Sequence, residues 1–210
     1  MGFFAKLSYK IGDNLVRSNV IKEEDAEIYI YGINQILVSV LNVSSALIIG
    51  WIVGVVFEIA VFMAAYIPLR SFAGGYHAKT SLRCYIFSDI MLIVVSIGIK
   101  YLLVTDLVYY IALVIGIFIV LILSPVEDKN KPLDEAEHKV YKRRTIIVAS
   151  AEFLLFLLLK LLGLNNFLVS IIYSFVVLSF MLITGKVKNC VLMKPANKTI
   201  PKKKQEKYGG

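Results

Sequence analysis

The sequence predicts an all-α integral membrane protein that crosses the bilayer about six times. Of its 210 residues, 58% are apolar and only 18% are charged, and the mean hydropathy is +0.75. A soluble domain of this length could not cover so much apolar surface. Several apolar runs also approach the ~20 residues that a helix needs to cross ~30 Å of hydrocarbon. The six runs cover residues 30–49, 51–69, 85–104, 107–124, 146–163 and 167–185.

The N-terminal segment, residues 1–28, is expected to form an amphipathic surface helix. Phe3, Leu7, Ile11 and Leu15 recur every four residues, while the Lys and Arg side chains fall around the other face. This pattern is typical of a helix lying in the membrane interface, and the alternative is a helix packed on protein. The interspersed charges argue against a cleaved signal peptide, because such a peptide has an unbroken apolar core.

The distribution of basic residues predicts the topology. The expected short connections at 50–51, 105–106 and 165–166 contain no Lys or Arg. By contrast, 21 of the 23 basic residues fall in residues 1–28, 70–84, 125–145 and 186–210. By the positive-inside rule these segments are cytoplasmic, so both termini and both basic loops are expected on the inner side of the membrane.

These segments define the expected organisation. A transmembrane domain at residues 29–185 contains a loop at 70–84 and a basic loop at 125–145. The tail at 186–210 is rich in lysine and contains two prolines, and it is expected to be disordered and attracted to anionic lipid.

The loop after the second apolar run contains the candidate catalytic residues. His77 is one of two histidines and Cys84 is one of two cysteines in the chain. One straight helix would hold them about 10 Å apart, too far for an imidazole to reach a sulfur. Gly74 and Gly75 can adopt positive φ and reverse the chain, which would return His77 over the cysteine.

Ser81 is expected to be the N-cap of the following helix, which places Cys84 in its first turn. Unpaired backbone N–H groups and the positive end of the helix favour a thiolate there, and Lys79 and Arg83 add positive charge. His77 would then act as general base toward the thiol and as general acid toward the leaving amine. The alternative is a buried, inert cysteine and a solvated histidine.

This loop resembles the signature of the accessory gene regulator B (AgrB) family, bacterial membrane cysteine endopeptidases that process the quorum-sensing pro-peptide AgrD. The residues that carry the resemblance are Arg70, Gly74, Gly75, His77, Lys79, Thr80, Arg83, Cys84 and Tyr85.

The resemblance implies a mechanism, a location and a partner. Cys84 attacks a peptide bond on the C-terminal side of the future signal, with His77 as its partner, and forms a thioester. A nucleophile of the bound peptide, usually its own cysteine, then attacks the thioester and releases a cyclic thiolactone. The resemblance also implies a homodimer in the bacterial cell membrane, with an AgrD-like pro-peptide as substrate.

Three further residues are expected to support the site. Arg70 or the backbone N–H groups near Cys84 would stabilise the oxyanion, and the sequence leaves that choice open. Gly75 contributes to the chain reversal, and Ser81 contributes the helix cap.

Two interpretations apply to the second basic segment. Its cations either hold the loop inside and touch anionic lipid, or they form a docking surface for the acidic C-terminal tail that the resembled family's pro-peptides carry. The candidate docking residues are Lys129, Lys131, Lys142, Arg143 and Arg144.

Other partners and functions are less well supported by the sequence. No nucleic-acid-binding motif accompanies the basic residues, no spacing fits a metal site, and no cofactor is expected. Cys190 is expected to be a reduced cysteine without a disulfide. A small peptide or lipid transporter is the main alternative, because Glu58, Asp89 and Glu152 lie within apolar runs. A membrane scaffold without chemistry is the third.

Overall fold

The computed structural model describes residues 3–76, 81–102, 104–127 and 133–192. These residues are almost entirely helical and form no strand, which confirms the all-α membrane class. A 3-10 turn lies at Glu23–Asp25. Among the described residues, one isolated β-bridge joins Gly74 to Val126. The α-helices are α1 Phe3–Arg17, α2 Ala26–Val53, α3 Val56–Ala73, α4 Ser81–Tyr101, α5 Asp106–Leu123, α6 Glu135–Leu161 and α7 Asn165–Leu192.

The six expected spans correspond to α2 through α7. By length and composition, five of these helices are long and apolar enough to cross a membrane, namely α2, α3, α4, α5 and α7. The last eighteen residues of α6 include Arg144, Glu152 and Lys160, and these charges set it apart from the others.

The turn between α2 and α3 lies four residues later than expected. Gly50 and Trp51 are helical, and the chain turns at Gly54, which caps α2 with φ +83°. Gly50 instead allows close packing, because a Cβ there would lie 3.1 Å from the Cα of Val56. The glycine that ends the helix is therefore the one that adopts the left-handed conformation.

Helix α6 begins well before the apolar run that predicted it. The Asp134 side chain accepts a hydrogen bond from the Glu137 backbone N–H at 2.6 Å, and the Glu137 side chain accepts one from the Asp134 N–H. This capping box starts a helix in a polar sequence. The expected loop at 125–145 is therefore helical from Glu135 onward.

Helix α7 lies at the centre of the bundle, packed along α3, α5 and α6. Ile171, Phe175, Leu178 and Leu182 form a fully buried stripe along it. The Ser179 hydroxyl donates to the Gly116 carbonyl on α5 at 3.0 Å. The most completely buried span is thus the last one in the sequence.

Helix α1 packs along α2. One of its faces therefore contacts protein, as expected for the alternative of a helix packed on protein. Ser8 is 1% exposed, and a Cβ on Gly12 would collide with the Ile30 side chain. Its position relative to the membrane interface stays a prediction.

The bundle has two distinct ends. At one, here called the far end, Val55, Lys100, Asp106 and Asn165 line a common cavity. At the other, the basic end, the chain after α3, the chain after α5 and the last part of α7 meet around Gly74, Val126 and Gly185. Cys84 lies near the basic end of α4.

Candidate active site

Cys84 occupies the first turn of α4 as the structure describes it, and its side chain is half-buried. The structure describes α4 from Ser81 onward, and the expected cap at Ser81 stays a prediction. His77, Lys79 and Thr80 lie outside the described residues. The chain is described up to Tyr76 and again from Ser81, so the contacts of this site come from the residues that flank His77.

Arg70 holds the chain just before His77. It lies near the end of α3, where its Nη1 donates to the Tyr66 hydroxyl at 3.2 Å and its Nη2 donates to the Tyr76 carbonyl at 2.9 Å. Its guanidinium also lies over the Tyr66 ring, 5.9 Å from the centroid. These two hydrogen bonds use two of the five N–H groups of a guanidinium.

Tyr66 links this arginine to the cysteine. Its hydroxyl accepts a hydrogen bond from Arg70, and it lines a cavity together with Ser88, which lies one turn after Cys84 on the same face of α4. Tyr66 is 6% exposed. Cys84 is therefore half-buried on a face of α4 that, one turn further on, shares a cavity with the Tyr66–Arg70 pair.

The two glycines adopt the conformation that the sequence predicts. Gly74 has φ +74° and Gly75 has φ +130°, values that other residues rarely adopt. Gly74 bridges to Val126, whose N–H donates to the Ala73 carbonyl at 2.9 Å. A Cβ on Gly74 would overlap the Val126 carbonyl oxygen. The two basic segments are thus joined directly at this point.

Tyr76, the residue before His77, is fixed from three sides. Its N–H donates to the Met181 carbonyl on α7 at 3.0 Å. Its ring lies 5.6 Å from that of Phe87 on α4, and the Lys188 ammonium lies 5.1 Å from its centroid. Together with the Arg70 hydrogen bond, these contacts position the chain where it enters the residue proposed as general base.

Gly185 on α7 packs directly against the backbone of Gly75 and Tyr76. A Cβ there would lie 2.9 Å from the Gly75 carbonyl carbon and 2.9 Å from the Tyr76 nitrogen. Sequence reasoning missed Gly185, Met181 and Val126, because no local pattern links them to the loop. Tyr66 did carry a signal, since it precedes Arg70 by four residues on one helix.

The five expected docking residues differ in their surroundings. Lys129 and Lys131 lie outside the described residues. Lys142 donates to the carbonyls of Leu121 and Ser124 at the end of α5, the latter at 2.8 Å. Desolvation there lowers the pKa of Lys142 from its ordinary value. Its ammonium is therefore engaged within the fold.

Arg143 and Arg144 are exposed. The Arg144 guanidinium lies over the Phe72 ring, 5.5 Å from its centroid, so it extends from α6 across the end of α3. These two arginines are the accessible cations of the docking set within the described part of the chain.

Comparison with known proteins identifies relatives of this chain. It is 31% identical over 127 residues to AgrB-like protein 2 of Clostridium perfringens strain 13, covering 55% of this chain and 58% of the relative. It is 29% identical over 140 residues to an AgrB-like protein of C. perfringens strain SM101, covering 63% and 64%. It is 34% identical over 93 residues to accessory gene regulator protein B of Staphylococcus saprophyticus, covering 44% and 47%.

Each of these alignments covers less than two thirds of the relative's length. No solved structure matches the chain. The family described as Accessory gene regulator B matches residues 6–183, which include every helix from α2 to α6 and most of α7. The chain therefore belongs to the accessory gene regulator B (AgrB) family.

Proposed function

We propose that this chain is a membrane cysteine endopeptidase that cleaves a small AgrD-like pro-peptide and closes the product into a ring. The observation that carries the proposal is the position of Cys84, half-buried in the first turn of α4 and one turn before Ser88, which lines a cavity with Tyr66 and Arg70. Membership of the AgrB family supports a role in processing the peptide signal of the accessory gene regulator system.

In the first step, the His77 imidazole takes the thiol proton of Cys84, and the sulfur attacks the scissile carbonyl. The C–N bond then breaks, and His77 returns the proton to the departing amine. This leaves the N-terminal part of the peptide as a thioester on Cys84. Arg70 has N–H groups beyond those in its two hydrogen bonds, and one of them is our candidate for stabilising the oxyanion.

In the second step, a thiol of the bound peptide attacks the thioester carbonyl. Its proton passes to His77 and then to the Cys84 sulfur as the thioester bond breaks. The product is a cyclic thiolactone, and the enzyme thiol is restored. No water is consumed, so the masses of the ring and the released tail add up to the mass of the cleaved peptide.

The setting favours ring closure over hydrolysis. Exchange of the acyl group between two sulfurs keeps the carbonyl activated as a thioester. Attack by water would instead hydrolyse the thioester, so water must be excluded if the ring is to form. Cys84 is half-buried, and the segment before His77 is packed against α7. Gly75 supports the site through its conformation, and Ser81 through its place at the start of α4.

The acidic tail of the substrate is proposed to dock on the exposed Arg143 and Arg144, together with Lys129 and Lys131. Attraction to anionic lipid is a further proposal for the same cations. We also propose that the chain acts as a homodimer in the bacterial cell membrane with both termini in the cytoplasm.

The test is co-expression of the chain with an AgrD-type pro-peptide, followed by mass measurement of the products. The unaltered chain is expected to yield a ring one water lighter than the linear fragment. Cys84→Ser is expected to abolish cleavage while membrane insertion and yield stay normal, and Cys190→Ser serves as the matched control. Normal cleavage by Cys84→Ser would exclude the proposed mechanism.

Transport is a second candidate, and one observation favours it. Glu152 is 6% exposed, accepts a hydrogen bond from Ser174 at 3.4 Å and has its other carboxyl oxygen buried without a partner in the described residues. Buried carboxyl groups in membrane helices often mark ion or substrate paths. Unchanged cleavage in Cys84→Ser, together with loss of export in Glu152→Gln, would favour this function.

A further inference from the structure

A cavity of about 350 Å³ opens between α2, α3 and α4. We call it the α2–α4 cavity. Helices α3 and α4 each pack along α2, but in the described residues they make few contacts with each other, which leaves a gap between them. The volume falls within the range of sites that hold small molecules or short peptide segments.

The cavity begins at the basic end and runs toward the middle of the bundle. On α3 its lining extends from Gly74 to Met63, a distance of about 16 Å at the rise of an α-helix. That length accommodates a short stretch of extended peptide, which advances ~3.4 Å per residue.

The α2 wall of the cavity carries a row of three polar side chains. Gln35, Ser39 and Asn42 follow one another at intervals of four and three residues, so they share a face of α2. Gln35 and Ser39 are exposed within a strongly apolar helix, and Asn42 has its carbonyl oxygen buried without a hydrogen-bond partner in the described residues. Polar groups left open within a span are costly, so an occupant that forms hydrogen bonds should cover them.

The cavity also adjoins the proposed nucleophile. Ser88, which lines it, lies one helical turn after Cys84 on the same face of α4. Tyr66 and Arg70, which are hydrogen-bonded to each other, line it as well. A peptide segment attached to Cys84 could therefore enter this cavity without crossing another helix.

We propose that the α2–α4 cavity binds the part of the peptide that becomes the acyl group on Cys84. This proposal rests on the proposed function. The occupant is an uncharged, extended peptide segment whose backbone amides bond to Gln35, Ser39 and Asn42. Among the residues that the structure describes, Arg70 is the one charged residue of the lining. The acyl part must stay bound while the tail departs and the second thiol arrives, so a subsite beside Cys84 suits it.

Kinetics in vesicles, with an AgrD-type pro-peptide that the unaltered chain cleaves, provide the first test. Asn42→Leu keeps the side-chain size but removes the amide, and it is expected to lower kcat/KM about tenfold. Asn34→Leu is the matched control, because Asn34 lies on the same helix and does not line the cavity. Equal values for the two variants would overturn the subsite.

Photo-crosslinking gives an independent readout. A photoreactive amino acid at Ser39, in a Cys84→Ala chain, is expected to capture the labelled pro-peptide. The same group at Val40, which is adjacent, 59% exposed and outside the lining, is expected not to capture it. Capture of a second copy of the chain at Ser39 would instead identify a dimer interface and overturn the proposal, as would equal or absent capture at both positions.

The two proposals fail in different ways. The subsite would be excluded and the peptidase retained by the following results. Cleavage is lost in Cys84→Ser, the Asn42→Leu and Asn34→Leu variants cleave equally well, and Ser39 shows no selective capture. No thiol-dependent cleavage by the unaltered chain would remove both.

Discussion

At the scale of single residues, Gly185 has a strict structural requirement near the site. It contributes no functional group, yet a methyl group there would press on Gly75 and on the Tyr76 nitrogen. These atoms belong to backbone, so they cannot move aside as a flexible side chain would. Their displacement would also strain the hydrogen bond from Tyr76 to Met181.

Gly185→Ala is therefore expected to impair catalysis more than folding. A shift of about 1 Å in a catalytic group can cost about a hundredfold in rate, so we expect a loss of at least this order in cleavage. Cleavage rate and thermal stability in detergent would be measured together.

Gly32→Ala is the matched control for this variant. Gly32 is also a helical glycine, but a Cβ there meets nothing within 4 Å. Alanine at this position is expected to preserve activity and to stabilise the helix slightly, by about 0.5–1 kcal/mol. Equal activity of the two variants would show that Gly185 does not position the loop.

At the scale of helices, α6 is tied to the end of α5 by Lys142. The last carbonyls of a helix lack partners within it, and a lysine that donates to them also complements the helix dipole. Lys142 donates to Leu121 and Ser124 in this way. This contact holds the start of α6 beside the segment that carries Val126.

Lys142→Met is expected to lower stability by about 1 kcal/mol, because it removes the ammonium and keeps most of the apolar stem. Arg143→Met is expected to leave stability unchanged and to raise KM for a pro-peptide with an acidic tail, because Arg143 is exposed. Unfolding in detergent and cleavage kinetics would separate the two effects. A raised KM without loss of stability in Lys142→Met would make Lys142 a docking residue instead.

The helices also show how far sequence reasoning reaches. Apolar runs predict α2 through α7, because burial in lipid or protein requires them. The runs place the ends less well. Helix α6 starts at Glu135 because Asp134 and Glu137 form a capping box, and α2 continues through Gly50, where α3 packs against it. Such ends depend on hydrogen bonds and neighbouring helices rather than on hydropathy.

The residues of the candidate site also fall into those that the sequence predicts and those that it does not. The positive φ of Gly74 and Gly75 and the position of Cys84 at the start of a helix were predicted from local residues. Val126, Met181 and Gly185 were not, because their link to the loop exists only once distant helices have packed. Nothing in the spacing of those residues indicates which carbonyl or which glycine the loop will contact.

At the scale of the whole molecule, the charge distribution predicts orientation. A cysteine introduced at Leu164, which is 44% exposed in the turn at the far end, is expected to react with an impermeant maleimide in intact cells. Cys190 is exposed at the basic end and is expected to react only after the membrane is permeabilised. Labelling of Cys190 in intact cells would place the basic end outside.

The convergence at the basic end bears on when the protein becomes active during its synthesis. Gly74, Val126 and Gly185 are separated by tens of residues, and the third of them lies near the end of α7. A ribosome will have completed five of the long helices before it makes the surface on which the loop rests. Under the proposed function, the chain should therefore stay inert until α7 is inserted, which would protect the pro-peptide from premature cleavage by partly synthesised chains.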